Sequence, residues 1–186
     1  MESVLDRVIR QNTENVNLLK TKDYNIFSVL QIQSKEVLIC RMIADLLNPR
    51  GQHGAGAEYL KIFLRDCLGM EKMDTKLADQ AIVTAEYAID DERRIDIVIE
   101  IGSYFLPIEV KIYAADQKSQ CFDYYQYAKR RDAQAKVYYL TLDGHRPGKD
   151  STSSGNRSVT EEDIVCLSFR EHILNWLKAC KNCGNT

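Results

Sequence analysis

Two carboxylates and an amine fall within one short stretch of the chain, Asp96 in RRIDIVIE and Glu109 and Lys111 in PIEVKI. Both runs alternate in the period-two manner of strands. Between them, Gly102-Ser103 suits a two-residue type II′ hairpin turn. That turn sets Ile101 opposite Tyr104, and therefore Asp96 opposite Glu109 and Arg94 opposite Lys111. One face then carries Ile95, Ile97, Ile99, Ile101, Tyr104, Leu106, Ile108, Val110 and Ile112, and reads as core. The other carries Arg94, Asp96, Val98, Glu100, Phe105, Pro107, Glu109 and Lys111. Pro107 falls at a non-hydrogen-bonded pair with Val98, where its missing N–H is not needed. Two carboxylates with Cβ atoms about 4.5–5.5 Å apart repel each other. A divalent cation between them is the simplest offset. Lys111, on the same face, could hold a water or a phosphate oxygen. A solvated strand face with paired charges explains the hairpin alone equally well.

A third carboxylate tilts the balance. The spacing predicts a helix over residues 25–48, ending before Pro49. Glu36 sits in the middle of its apolar stripe, among Val29, Ile32, Ile39, Cys40, Ile43 and Leu47. A buried carboxylate must be neutralised, paired or bound to metal. A core ion pair or a protonated Glu36 would satisfy that need, and so would a place facing the hairpin's charged side. A further helix is expected over 114–131. There Gln117, Gln120 and Tyr124 share a face with Tyr113 and Cys121. Such a face can contact phosphate or position water, or it can simply be solvated.

The remaining elements must position these groups. A helix is expected over residues 2–20, and another from about residue 57 to 68 after the loop Arg50-Gly-Gln-His-Gly-Ala-Gly56. Residues 69–80 read as irregular. Strands are expected at 81–89, 94–101, 104–112, 137–142 and 164–168, with a mobile surface loop over 143–160. An amphipathic helix over 169–181 carries Ile173, Leu174, Trp176 and Leu177. Helices leading into a hairpin-rich sheet, then helix, strand and helix, predict a mixed sheet flanked by helices.

Composition sets outer bounds. The 186 residues carry a formal net charge of −2, so bulk polycation binding to nucleic acid is excluded and any such contact must be local. No apolar run reaches the ~18 residues of a membrane span. The opening MESVLDRVIRQNTENVN has no apolar leader core, and a cytoplasmic location is the expectation. Cys40, Cys67, Cys121 and Cys166 read as small core residues. Cys180 and Cys183 have no second ligand pair at zinc spacing. His53, in its Gly-rich loop before a helix, is suited either to phosphate contact or to a local loop role. Glu86 reads as a structural ion-pair partner more than as a further ligand. Lys118, Lys129, Arg130, Arg131 and Lys136 suit a nucleic-acid path or a solvated helix end.

Taken in order, these elements resemble the PD-(D/E)XK nuclease superfamily. Asp96 followed by Glu109-Val110-Lys111 looks like its D…(D/E)-x-K core, Gln120 and Tyr124 like the Q-x-x-x-Y element of its exonuclease-like branch, and Glu36 like the acid of the preceding helix. The stretches LLNPRGQHGAGAEYLKIFL, IEVKIYAADQKSQCFDYY, YYLTLDG and SFREHILNWL extend the likeness over residues 34–178. Ile95 departs from the pattern, standing where the superfamily name has Pro. The resemblance implies a restriction-endonuclease-like α/β core, with a central mixed sheet of about four to five strands flanked by helices. A single domain over 1–186 is expected, in a form shortened at its C-terminus. The implied activity is hydrolysis of phosphodiester bonds, with DNA as the expected substrate and Mg²⁺ or Mn²⁺ as cofactor. The metal would be held by Asp96, Glu109, the Val110 carbonyl and Glu36, and Lys111 would orient the attacking water. Gln117, Gln120, Tyr124 and His53 would contact substrate. A homodimer or larger complex stays open. The competing reading is an inactive domain of this fold that binds nucleic acid or a protein, although such domains usually lose the lysine or an acid, and neither is lost here.

Overall fold

The computed structural model describes residues 36–71 and 74–183. The helix expected over 2–20, and the part of the next helix before Glu36, lie outside the described residues. Within them the chain runs α1 (Glu36–Leu47), α2 (Glu58–Asp66), β1 (Ile82–Ala88), β2 (Arg94–Ile101), β3 (Tyr104–Lys111), α3 (Gln120–Arg131), β4 (Val137–Thr141), β5 (Ile164–Ser168) and α4 (Leu174–Cys183). The five strands lie side by side in chain order. β1, β2 and β3 are antiparallel neighbours, whereas β3–β4 and β4–β5 are parallel. This is the mixed, helix-flanked sheet that the alternation of elements predicts.

The hairpin has the expected register, with Val98 opposite Pro107 and Ile101 opposite Tyr104. Gly102 has φ 57°, while Ser103 stays out of the positive region. That sign pattern belongs to a type II′ turn.

Both faces of the hairpin are covered. On one, Ile97, Ile99, Ile101, Leu106, Ile108 and Val110 pack with Cys40, Ile43 and Leu47 of α1, Leu60, Phe63 and Leu64 of α2, and Trp176 of α4. The Trp176 indole stands edge-on to Phe63 and donates its N–H to the Tyr59 carbonyl. On the other face, Val98 and Phe105 lie under Tyr124 and Ala128 of α3. The face that looked charged is thus a second core, with Arg94, Asp96, Glu109 and Lys111 gathered at one end and Glu100 at the turn end paired with Arg131. Ile95 belongs to this second cluster and not, as alternation suggests, to the first. The reason is a break in the sheet at Asp96. The β1–β2 ladder skips the pair Glu86 and Asp96, with Glu86 at φ 55°.

Four further expectations are corrected. Residues 69–80 contain a helical turn, Thr75–Ala78, capped by the Asp74 side chain on the Lys76 N–H. The helix expected from 114 begins only at Gln120. The N–H groups of Ile112, Tyr113 and Ala114 are taken by the Glu36 carboxylate, and Ser119 adopts φ 56°, so a continuous helix cannot form there. The segment 143–160 is a structured strap. It holds a helical turn, Lys149–Thr152, and a short ribbon pairing Ser153–Ser154 with Arg157–Ser158. Its buried Ser151 accepts the Cys121 N–H, and its Gly148 N–H binds Asp116. Finally, Leu174 is 49% exposed, so the inward stripe of the last helical stretch rests on Ile173 and Trp176.

Candidate functional site

Asp96 lies at a gap in the hydrogen-bond ladder on both sides of β2. Beside β3 the pairing ends at Ile97 and Ile108, one position short of Asp96 and Glu109. The Asp96 side chain fills the gap, its Oδ2 accepting the Val110 N–H at 2.8 Å. A carboxylate is thereby substituted for a backbone acceptor, which fixes its position at the sheet end.

Glu109 is 1% exposed and Lys111 8% exposed. The Lys111 ammonium lies 2.7 Å from Glu109 Oε1. Glu109 Oε2 is buried and has no hydrogen-bond partner among the described residues. Burial, reinforced by the charge of Asp96, pushes the Glu109 carboxyl up to about 8, against the opposing pull of Lys111. Burial also raises the Asp96 carboxyl, with the Val110 N–H and Lys111 working the other way. A buried acid with an orphaned oxygen, next to a second acid, is the donor chemistry of a hard divalent cation.

Glu36 resolves the problem of the acid in an apolar stripe in its own way. Its Oε1 accepts from the backbone N–H groups of Ile112, Tyr113 and Ala114 at 2.6, 2.9 and 3.0 Å. Burial works to raise this carboxyl, but the three N–H groups and Lys111 outweigh it and the net shift is downward. The turn after β3 is therefore tied to α1 by one ionised oxygen. Glu36→Gln is expected to destabilise the protein by about 1–2 kcal/mol at neutral pH, the weaker amide acceptor being partly compensated by solvent. The contribution of a depressed carboxyl is present above its ordinary pKa and fades as pH falls. Urea unfolding curves of variant and wild type should therefore converge in acid.

A cavity of about 310 Å³ opens over these groups. Its lining brings together Glu36, Asp96, Glu109, Lys111, Gln117, Gln120 and Tyr124, all expected from the sequence, with Glu92, Arg93 and Arg94 added. Gln120 and Tyr124 are buried, which rules out a solvated helix face. The Gln120 amide donates to the Tyr124 hydroxyl, and that hydroxyl donates to the Arg94 carbonyl. Gln117 precedes α3 instead of lying on it, and its side-chain oxygen accepts from Arg93. Tyr113 is not on their face; it is 67% exposed. His53 is absent from this lining. Its Nε2 meets the Asn48 carbonyl at 3.0 Å, its Nδ1 accepts the Ala55 N–H, and its ring stacks on Tyr59. Glu86 is bound by Arg41. Arg131 pairs with Glu100 and Lys129 with Asp163.

The strand alternation already put Arg94 on the polar face. Arg93 carried no comparable signal, because its role depends on the irregular segment before α3. Among the described residues no three His, Cys, Asp or Glu side chains are gathered as a ready metal cage. Asp96 and Glu109 form a pair, and Glu36 has turned one oxygen to the backbone.

Comparison with curated proteins and with solved structures gives no match. A family model described as the PD-(D/E)XK nuclease superfamily matches residues 24–184. That span holds the broken hairpin with its Asp96, Glu109 and Lys111, the helix that delivers Glu36, and the mixed five-stranded sheet beneath them. The chain belongs to the PD-(D/E)XK nuclease superfamily.

Proposed function

We propose that this protein is a metal-dependent nuclease that hydrolyses phosphodiester bonds in DNA. The observation that carries the reading is the unpartnered, buried Oε2 of Glu109, beside Asp96 and within one cavity with Lys111. Asp96, Glu109 and the Val110 carbonyl are the groups that would hold Mg²⁺ or Mn²⁺, with Glu36 acting directly or through water. Mg²⁺ keeps several waters and needs only one or two carboxylates, so the absence of a third gathered acid is compatible with it. When bound, the cation supplies Lewis acidity toward the phosphate and a lowered water pKa.

The chain's own residues do the rest. Lys111 offers N–H donors to the attacking water and to charge that develops on the phosphate. Its ammonium survives burial because Glu109, Asp96 and Glu36 surround it with negative charge. Gln117, at the cavity wall, can contact substrate. Gln120 and Tyr124 act from beneath by holding the start of β2. His53 belongs to its own loop in this reading.

Calorimetric titration of Mg²⁺ and Mn²⁺ into wild type and Asp96→Asn, with cleavage assays on plasmid, linear duplex and single strands, tests the proposal. Wild type should bind metal and cut, and the variant should bind at least about tenfold more weakly and lose cleavage. Wild-type protein that binds DNA but neither takes up metal at millimolar concentration nor cuts would instead support an inactive binding domain.

A further inference from the structure

Two adjacent arginines line the cavity, and their surroundings differ sharply. Arg93 is engaged at each of its three guanidinium nitrogens. Its Nε donates to Asp123 at 3.1 Å, its Nη1 to Gln117 at 2.8 Å, and its Nη2 to the Lys118 carbonyl at 2.5 Å. Arg94 lines the same cavity, yet among the described residues its guanidinium has no hydrogen bond, ion pair or ring contact.

The Arg94 backbone, by contrast, is held on both sides. It pairs with Ala88 across the β1–β2 ladder, and its carbonyl accepts the buried Tyr124 hydroxyl, which Gln120 holds in turn. Donors other than Arg94 already serve the three acids nearest the chemistry: Glu36 Oε1 has three N–H groups, Asp96 the Val110 N–H, and Glu109 Oε1 the Lys111 ammonium, while Glu109 Oε2 is the oxygen that the reading above gives to the cation. An anchored arginine is therefore left with an idle five-donor fork. Two residues along a strand span about 7 Å, a distance an arginine side chain covers, so a phosphate seated over Asp96 is within its reach. The planar fork matches the paired non-bridging oxygens of a phosphate.

We propose that Arg94 binds the phosphate of the substrate held over Asp96 and Glu109, and that the Gln120–Tyr124 pair is its positioning element. This rests on the nuclease reading above and assigns its substrate contact. It also gives the buried Gln120 and Tyr124 a role that needs no contact with substrate.

The test uses the full chain with Arg94→Ala, Arg94→Lys and Tyr124→Phe. A labelled DNA duplex is titrated with Ca²⁺ in place of Mg²⁺, across a salt series, and Mg²⁺ binding and kcat/KM are measured separately. Arg94→Ala should leave Mg²⁺ binding within about twofold, weaken duplex binding by roughly tenfold or more, and lower the slope of log K against log salt by about one. Arg94→Lys should keep the slope and lose kcat/KM, because the charge remains and the fork does not. If Arg94→Ala fails to fold, that lysine variant carries the test. Tyr124→Phe should lower kcat/KM with the slope unchanged. Wild-type affinity and slope in Arg94→Ala, with cleavage intact, would overturn the assignment and leave the nuclease reading standing. Wild-type protein that binds no duplex would overturn both.

Discussion

Lys111→Ala is expected to lower kcat for DNA cleavage by roughly a thousandfold, the scale on which removing one preorganised donor to a developing anion acts in a water-poor site. The same substitution should leave Mg²⁺ binding intact or slightly stronger. The reason is geometric. The ammonium lies 2.7 Å from Glu109 Oε1, so it competes with any cation for that carboxylate. In the proposed mechanism, removing it would free a ligand oxygen while deleting the donor assigned to the substrate. A merely structural lysine would behave in the opposite way, since loss of a buried ion-pair partner lowers stability and disturbs the acid it leaves behind. Single-turnover cleavage with saturating metal, alongside calorimetric metal titration and a thermal melt, separates the two. Cleavage by Lys111→Ala within tenfold of wild type would remove Lys111 from the chemistry.

That Lys111 and Glu109 share a face was legible from strand alternation, and the pairing of Val98 with Pro107 from one glycine turn, because a two-residue hairpin leaves no freedom of register. The same logic misplaced Ile95. Alternation assumes an unbroken ladder, and the ladder is interrupted where Asp96 exchanges a backbone bond for a side-chain one. Nothing local in RRIDIVIE announces that exchange. It is visible only once Val110 is beside it. Glu36 shows a similar boundary. Its position in an apolar stripe correctly marked it as anomalous, yet its partners are three backbone N–H groups about 76 residues away along the chain, and backbone donors carry no sequence signature. The strap over 143–160 reads as mobile from its Ser, Gly and Pro content, but composition reports turn propensity and not tertiary anchoring. Among the contacts that hold it down are the buried Ser151 on the Cys121 N–H, Asp116 on the Gly148 N–H, the Ser119 N–H on the Asp150 carbonyl, and Val159 packed against Phe122 and Tyr139. Type and order of elements were thus readable from periodicity. Unread were the places where a polar side chain replaces a backbone partner, and these cluster at the candidate site, where local rules are expected to fail.

The pH behaviour of the metal-free protein follows from Glu109. Burial and the neighbouring Asp96 raise its carboxyl from 4.5 to about 8. A raised folded-state value means that the native protein binds a proton the unfolded chain releases. The resulting stabilisation is fully present below pH 4.5 and is lost as pH rises through about 8. The span corresponds to about 5 kcal/mol. In the absence of metal, wild type should therefore unfold at lower urea concentration at pH 9 than at pH 6. Glu109→Gln should flatten that part of the profile and be the more stable protein at the alkaline end. Cation binding reverses the trend, because the ligand must be the carboxylate. Between pH 6 and 8 the ionised fraction of a group titrating near 8 rises roughly fiftyfold, and Mg²⁺ affinity should rise with it, with about one proton released per ion bound near pH 6. Calorimetry in two buffers of different ionisation enthalpy counts that proton directly. A metal affinity independent of pH across this range, with no proton released, would mean that Glu109 is not a ligand, whatever the fate of Asp96.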